Sequence, residues 1–171
     1  GAEWIAPRPN SDVALMLGLA HTLWEEDLHD THFLATHCTG YEKFEAYLIG
    51  ATDGQAKSAE WAAPHTELAA DAIRALARKM AAGRTMIGVA YALQRAEHGE
   101  QTYWMATTLA AMLGQIGAPG GGCGFGYGSM NGYGNPVPKF STPAMPSATN
   151  PANSAIPVAR IADMLLNPGA P

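Results

Sequence analysis

The chain has 171 residues, 47% of them hydrophobic, and a formal net charge of −5 at pH 7. This length and composition allow one domain with its own core, and the acidic balance argues against nucleic acid as the main partner. Cys38 and Cys123 stand far apart and neither belongs to a CxxC pair, so neither a disulfide framework nor a structural zinc site is predicted.

The first fifty residues are predicted to form helical scaffold. Ser11 is expected to cap a helix that runs to about Glu26, because apolar residues recur after it at helical spacing. Asp30 or Thr31 is expected to cap a second, short helix, and residues 41–49 to form a third.

Two more helices are predicted before the first strand. Residues 58–63 are expected to make one or two helical turns that end before Pro64, because a residue preceding proline avoids the helical region. Residues 70–82 form a stronger helix, with apolar side chains on one face and basic ones on the other, and Gly83 ends it.

Residues 85–122 are predicted to contain the functional unit. Its first part, residues 85–91 (TMIGVAY), is an apolar run typical of a parallel strand covered on both faces. A helix beginning near residues 99–101 is apolar nearly all round and is expected to be the most buried helix. Between them lies a polar segment, residues 92–101, at the carboxyl end of a strand, which is where open α/β sheets bind ligands.

The C-terminal part is predicted to be irregular until a last helix opens at Pro157 and ends at Asn167. Its glycine run, residues 120–128, matches no phosphate-binding loop, so its glycines are expected to let the backbone pass close to other parts of the protein. Four side chains either line a substrate approach or pack: Phe125, Tyr127, Met130 and Tyr133.

The predicted fold class is α/β, mostly helical, with an irregular Gly/Pro-rich C-terminal part. One convincing strand is present, and a lone strand leaves its backbone groups unpaired, so its neighbours are expected outside the chain. The chain is therefore interpreted as an excerpt of a larger Rossmann-like parallel-sheet domain. Its expected divisions are residues 1–117 as the α/β portion, 118–155 as the irregular segment, and 156–171 as a short helix and tail.

The segment RTMIGVAYALQRAEHGEQTYWMATTLAAMLGQIGAPGGGCGFGYG, residues 84–128, resembles the molybdopterin oxidoreductase family. Within that family it is most similar to the branch that reduces dimethyl sulfoxide, trimethylamine N-oxide and biotin sulfoxide. Three motifs together are specific for this resemblance, although each is weak alone: QR followed by HGEQ, the MLGQIG run, and the PGGG sequence that follows the helix. The similarity continues through PNSDVALMLGLAHTL upstream and IPVARIADMLLNPG downstream, and so covers essentially the whole chain.

The resemblance implies a large bacterial enzyme that holds molybdenum between two molybdopterin guanine dinucleotides and reduces S-oxides or N-oxides by oxygen-atom transfer. This chain would be an interior piece, inactive alone, whose partner is the remainder of the polypeptide and whose residues 1–117 contribute to cofactor binding. The serine that binds the metal lies elsewhere in such enzymes, so no metal ligand and no catalytic residue is predicted here. The oxide, the electron donor and the choice between periplasm and cytoplasm stay open.

A family signature of tryptophan, a small residue, an apolar residue, glutamine and arginine contacts one dinucleotide. It falls on Tyr91, Ala92, Leu93, Gln94 and Arg95. The resemblance therefore implies that Tyr91, Ala92, Gln94 and Arg95 bind the cofactor. Tyr91 stands where tryptophan is usual, which keeps aromatic stacking but removes the indole N–H.

Each sharp interpretation has a plainer alternative. Arg95 either grips a diphosphate with its planar guanidinium or is a surface arginine. Gln94 either contacts the cofactor or ties its segment to the next loop. His98 has no second ligand three or four residues away except Gln101, which favours a hydrogen-bonded structural role over metal binding. For the whole chain, the alternative is an independent helical interaction module, in which a buried strand has no role.

Overall fold

The computed structural model describes residues 2–126, 149, 151, 156–157 and 160–169, which belong to two compact units, Gly1–Val137 and Pro138–Pro171. In the described part of the first unit, five helices precede a strand, a sixth helix and a second strand. The helices are α1 (Asp12–Glu25), α2 (Thr31–His37), α3 (Tyr41–Leu48), α4 (Ala59–Thr66), α5 (Ala70–Ala81) and α6 (Glu100–Met112). The strands are β1 (Met86–Val89) and β2 (Gly122–Phe125).

The two strands pair in parallel, with Met86 opposite Gly122 and Val89 opposite Phe125. The predicted α/β class, mostly helical, is confirmed. The expectation that every neighbour of β1 lies outside the chain is wrong, because β2 lies within the glycine-rich run. Two of the four β2 residues are glycine, which has low strand propensity, so pairing with β1 rather than local preference forms this strand.

β1 is shorter and more exposed than predicted. It covers Met86–Val89 instead of residues 85–91, and Tyr91–Arg95 forms a short 3-10 helix that we call the elbow. Ile87 and Val89 pack against the core, whereas Met86, on the other face, is 44% exposed. In the described part of the chain, β1 is therefore covered on one face and not on both.

α1 is the centre of the core. It is buried without interruption from Met16 to Leu23, and it packs against α4, α5 and α6. The prediction that α6 is the most buried helix is wrong. α6 buries one face through Met105, Leu109 and Met112, but Trp104 on another face is 65% exposed.

The predicted helix caps and ends are confirmed only in part. Asp30 caps α2, its Oδ1 accepting from the Phe33 amide at 2.8 Å. Ser11 occupies the N-cap position of α1 as predicted, but its side chain accepts no capping hydrogen bond; its hydroxyl donates to the Arg8 carbonyl at 2.6 Å. α4 continues through Pro64 to Thr66. Proline has no amide hydrogen for the carbonyl of Glu60, which is an exposed residue.

The described part of the second unit contains α7 (Ile161–Leu166). It starts later than the predicted opening at Pro157 and ends, as predicted, at Asn167. An ion pair of 2.7 Å between Arg160 and Asp163 spans its first turn. None of the described helices is long and apolar enough to cross a membrane.

His21 is a buried titratable group in the middle of α1. His21 is 5% exposed, and its Nδ1 atom has no hydrogen-bond partner among the described residues. Burial lowers the pKa of His21 below its ordinary value of 6.5; the Glu25 carboxylate, 3.8 Å away, opposes that shift, and Arg74 on α5 adds to it. The folded protein therefore favours a neutral imidazole.

We expect this histidine to make stability depend on pH. Below pH 6.5 the unfolded chain binds a proton at His21 that the folded chain resists, so the free energy of unfolding should fall and then level off below the lowered folded pKa. Urea unfolding of the wild type and of His21→Gln between pH 8 and pH 5 measures this, and the decline should be smaller in the variant. An identical decline in both proteins would assign it to other groups.

Candidate functional site

A cleft of about 700 Å³ opens at the carboxyl ends of β1 and β2. It is lined by residues from both strands, the elbow and α6: Val89, Tyr91, Gln94, Tyr103, Ala106, Thr107, Cys123, Gly124 and Phe125. This is the position predicted from the sequence, since the crevice beyond the carboxyl ends of parallel strands is where such sheets bind ligands.

The elbow is held in place by α6 and by the turn that precedes it. The Tyr103 hydroxyl donates to the carbonyl oxygens of Ala90 at 2.8 Å and Tyr91 at 3.1 Å. Gly99 lies directly against the elbow backbone: a Cβ at Gly99 would stand 2.6 Å from the Leu93 carbonyl oxygen and 2.7 Å from the Gln94 carbonyl carbon. Only glycine allows this approach without moving the elbow.

Three aromatic rings form the wall of the cleft. Phe125 stands edge-on to Tyr91, with ring centroids 5.5 Å apart, and edge-on to Tyr103, with centroids 6.0 Å apart. Gly126 follows Phe125 with a φ of 72° and donates its amide to the Val89 carbonyl at 3.0 Å. A Cβ at Gly126 would overlap the Tyr91 ring, so only glycine fits at this position beside the ring.

Gln115, from the MLGQIG motif, contacts both the chain that enters β1 and the PGGG motif. Its Nε2 donates to the Gly83 carbonyl at 2.8 Å, and its Oε1 accepts from the Thr85 amide at 2.6 Å, which fixes the chain where it enters β1. A Cβ at Gly121 would lie 2.9 Å from the Gln115 side chain. The predicted role of the glycine run, close backbone passage, is confirmed at Gly121 and Gly126.

The other polar groups of the cleft are few. The Cys123 thiol donates to the Thr107 hydroxyl over 3.7 Å, and both Cys123 and Cys38 are free thiols. Gln94 brings an amide that both donates and accepts hydrogen bonds. Aromatic walls with one amide suit a flat, partly polar ring system.

The four residues of the implied cofactor site divide into two pairs. Tyr91 and Gln94 line the cleft. Ala92 and Arg95 lie on the elbow, exposed, and are not among the lining residues. Arg95 forms no ion pair with any described residue, whereas Arg74, Arg78 and Arg160 all do.

Among the described residues, His98 has no partner for the hydrogen-bonded role that was predicted. Its side chain is 76% exposed, and its ring nitrogens stand 3.9 Å from Glu97 Oε1 and 4.0 Å from Glu100 Oε1, beyond hydrogen-bond distance. The positive φ of 57° at His98 belongs to the turn that brings Gly99 against the elbow. Among the described residues no group of three or more His, Cys, Asp or Glu side chains is arranged to hold a metal ion.

The sequence interpretation missed the contribution of α6 to the cleft. Tyr103, Ala106 and Thr107 lie three and four residues apart, and therefore on one helix face, which turns toward the strand ends. That spacing was the available signal. Of the side chains proposed for a substrate approach, Phe125 lines the cleft, while Tyr127, Met130 and Tyr133 lie outside the described residues.

Comparison with known proteins identifies the family of the chain. The model of the family described as "Molybdopterin oxidoreductase" matches residues 1–165. The chain is 54% identical to a biotin sulfoxide reductase of Cereibacter sphaeroides over 99% of its length and 23% of that protein. It is 49% identical to a dimethyl sulfoxide/trimethylamine N-oxide reductase of the same organism, over 99% of its length and 22% of that protein.

A third relative is trimethylamine-N-oxide reductase 1 of Escherichia coli K12, with 49% identity over 96% of the chain and 21% of that protein. The chain thus spans about a fifth of the length of the curated relatives that it matches. Because the family model covers nearly the whole chain, the chain belongs to the molybdopterin oxidoreductase family.

Proposed function

We propose that this chain is the part of a molybdenum-dependent oxidoreductase that helps to bind a molybdopterin guanine dinucleotide. The relatives' names indicate reduction of S-oxides or N-oxides. The complete enzyme carries out this reduction by oxygen-atom transfer. Its remaining polypeptide supplies the rest of the cofactor site and the metal ligand. The cofactor-binding portion extends past the expected bound of residue 117 to β2, whose Phe125 lines the cleft. The activity requires the whole protein.

The observation that carries the proposal is the cleft at the strand ends, with Tyr91 and Gln94 in its lining. A pterin and a guanine are both flat heterocycles with a hydrogen-bonding edge. The rings of Tyr91, Tyr103 and Phe125 offer aromatic surface to such a group, and the Gln94 amide matches its polar edge. The residues present therefore fit the cofactor.

Arg95 is suited to the charged part of the same molecule. It is exposed, directly follows Gln94, and has no carboxylate partner among the described residues. A guanidinium offers two parallel N–H bonds to a diphosphate. When bound, the cofactor supplies the redox chemistry; the residues of this chain hold and orient it.

Arg95 is the residue that tests the proposal. In the full-length protein, we expect Arg95→Lys to lower cofactor retention about tenfold to hundredfold, because an ammonium cannot replace two parallel bonds and a charge-assisted bond is worth roughly 1.5 to 3 kcal/mol. Arg95→Ala should lower it further. The measurement is molybdenum and guanine nucleotide content per mole of purified protein.

Arg84→Ala is the matched control. Arg84 is likewise exposed, but it precedes β1 at the amino end of the strand, away from the cleft. We expect its cofactor content to equal that of the wild type. Equal content in the Arg84 and Arg95 variants would show that the elbow does not hold the cofactor.

A further inference from the structure

We propose that Tyr103 is a positioning residue for the ligand cleft: its hydroxyl sets the conformation of the elbow and so aims Tyr91 and Gln94. This inference rests on the proposed function, because it concerns the same cleft. Tyr103 itself lies on α6, outside the elbow, and acts on the ligand through Tyr91 and Gln94.

The geometry places the hydroxyl where the backbone changes direction. Ala90 is still extended, with φ −86° and ψ 153°, and Tyr91 opens the 3-10 helix. The carbonyl oxygens of these two residues are the ones that the Tyr103 hydroxyl bonds, at 2.8 and 3.1 Å. One side chain on α6 therefore holds the junction between β1 and the elbow.

The opposite end of the elbow is held by a different contact. Gly99 lies against the Leu93 carbonyl oxygen and the Gln94 backbone, so the elbow is fixed at the far end by close packing of two backbones. Between these two points, the exposed Ala92 adds no buried contact. The Tyr103 hydroxyl is thus a polar contact that fixes the end of the elbow at Tyr91.

Loss of the hydroxyl should affect binding more than folding. Ala90 is exposed and Tyr91 is half-buried, so water can bond the released Ala90 carbonyl oxygen and the net cost to stability is small. The elbow then samples more conformations, and ordering it on binding costs conformational entropy. The phenyl ring of a Tyr103→Phe variant retains its edge-on contact with Phe125, so the substitution isolates the hydroxyl.

The test compares Tyr103→Phe with Thr108→Val in the full-length protein. Thr108 also donates a hydroxyl to a carbonyl, that of Trp104 at 2.8 Å on the same helix, but it does not line the cleft. The readouts are release of guanine nucleotide from purified protein over time, thermal unfolding, and amide hydrogen exchange of residues 91–95. If the Tyr103 hydroxyl had only a structural role, Tyr103→Phe would not selectively speed nucleotide release and amide exchange in the elbow relative to Thr108→Val.

We expect Tyr103→Phe to release the nucleotide about fivefold to tenfold faster, the effect of losing about one neutral hydrogen bond. Elbow exchange should rise, and both variants should melt within a few degrees of the wild type. Unchanged release in Tyr103→Phe, or equally faster release in both variants, would overturn the inference. If Arg95→Ala loses cofactor while Tyr103→Phe retains it, this inference alone fails; if neither loses it, the proposed function fails.

Discussion

Replacing Gly99 by valine is expected to displace the elbow and to abolish cofactor retention in the full-length protein. A Cβ at this position already meets the Leu93 carbonyl oxygen at 2.6 Å and the Gln94 Cα at 2.7 Å, and both are backbone atoms, which cannot rotate away. Overpacking typically costs about 1 to 3 kcal/mol and occasionally more, and rigid backbone contacts below 3.0 Å place this site at the upper end of that range. Cofactor content should fall at least about a hundredfold, since the binding side chains move with the elbow.

Gly88→Ala is the control for this substitution. Gly88 lies in β1, close in sequence to the elbow, but a Cβ there would meet no atom of the described residues within 4 Å. Alanine in a strand is favoured over glycine by roughly 0.5 to 1 kcal/mol, so this variant should be at least as stable as the wild type. Full cofactor content in Gly99→Val would contradict the described contact between Gly99 and the elbow.

Replacing Leu23 by alanine is expected to have the largest effect on stability. Leu23 is 0% exposed and lies in the continuous buried run of α1, the helix that packs against α4, α5 and α6. Truncation of a buried leucine costs about 2 to 5 kcal/mol, from the lost transfer free energy and the cavity that remains. Urea denaturation of the full-length protein measures the change.

Leu28→Ala makes the same chemical change at a residue that is 37% exposed. Its cost should stay below about 1 kcal/mol, because surface substitutions rarely exceed that range. A loss at Leu23 no larger than the loss at Leu28 would show that α1 is not the centre of the core.

The sequence predicted the elements that follow local rules. Apolar spacing located α1 and α5, and the pair Asp30 and Thr31 marked the start of α2, where Asp30 proved to be the cap. The apolar run that contains Met86–Val89 indicated a strand with a ligand crevice after it. Each of these signals lies within a few residues of the feature that it predicts.

The sequence did not reveal features that depend on residues far apart in the chain. β2 is a strand because β1 lies beside it, not because Gly122–Phe125 favours one. α6 looked enclosed because its composition is apolar, but composition does not state which faces have neighbours, and Trp104 proved exposed. Tyr103 acts on carbonyls twelve and thirteen residues before it, a relation that helical spacing does not express.

The alternative of an independent helical interaction module is disfavoured by the same long-range features. β1, α6 and β2 form a parallel β-α-β unit whose strand ends build the cleft. A purely helical module would not contain a parallel strand pair, and the family match covers this unit.

An experimental structure of the full-length protein with its cofactor bound tests the central claim most directly. The decisive measurement is the distance from Tyr91, Gln94 and Arg95 to the dinucleotide. The proposed function predicts a hydrogen bond from the Gln94 amide to the dinucleotide, Arg95 against the diphosphate, and the Tyr91 ring in contact with the molecule. A dinucleotide bound elsewhere, with the cleft at β1 and β2 filled by other polypeptide, would contradict it.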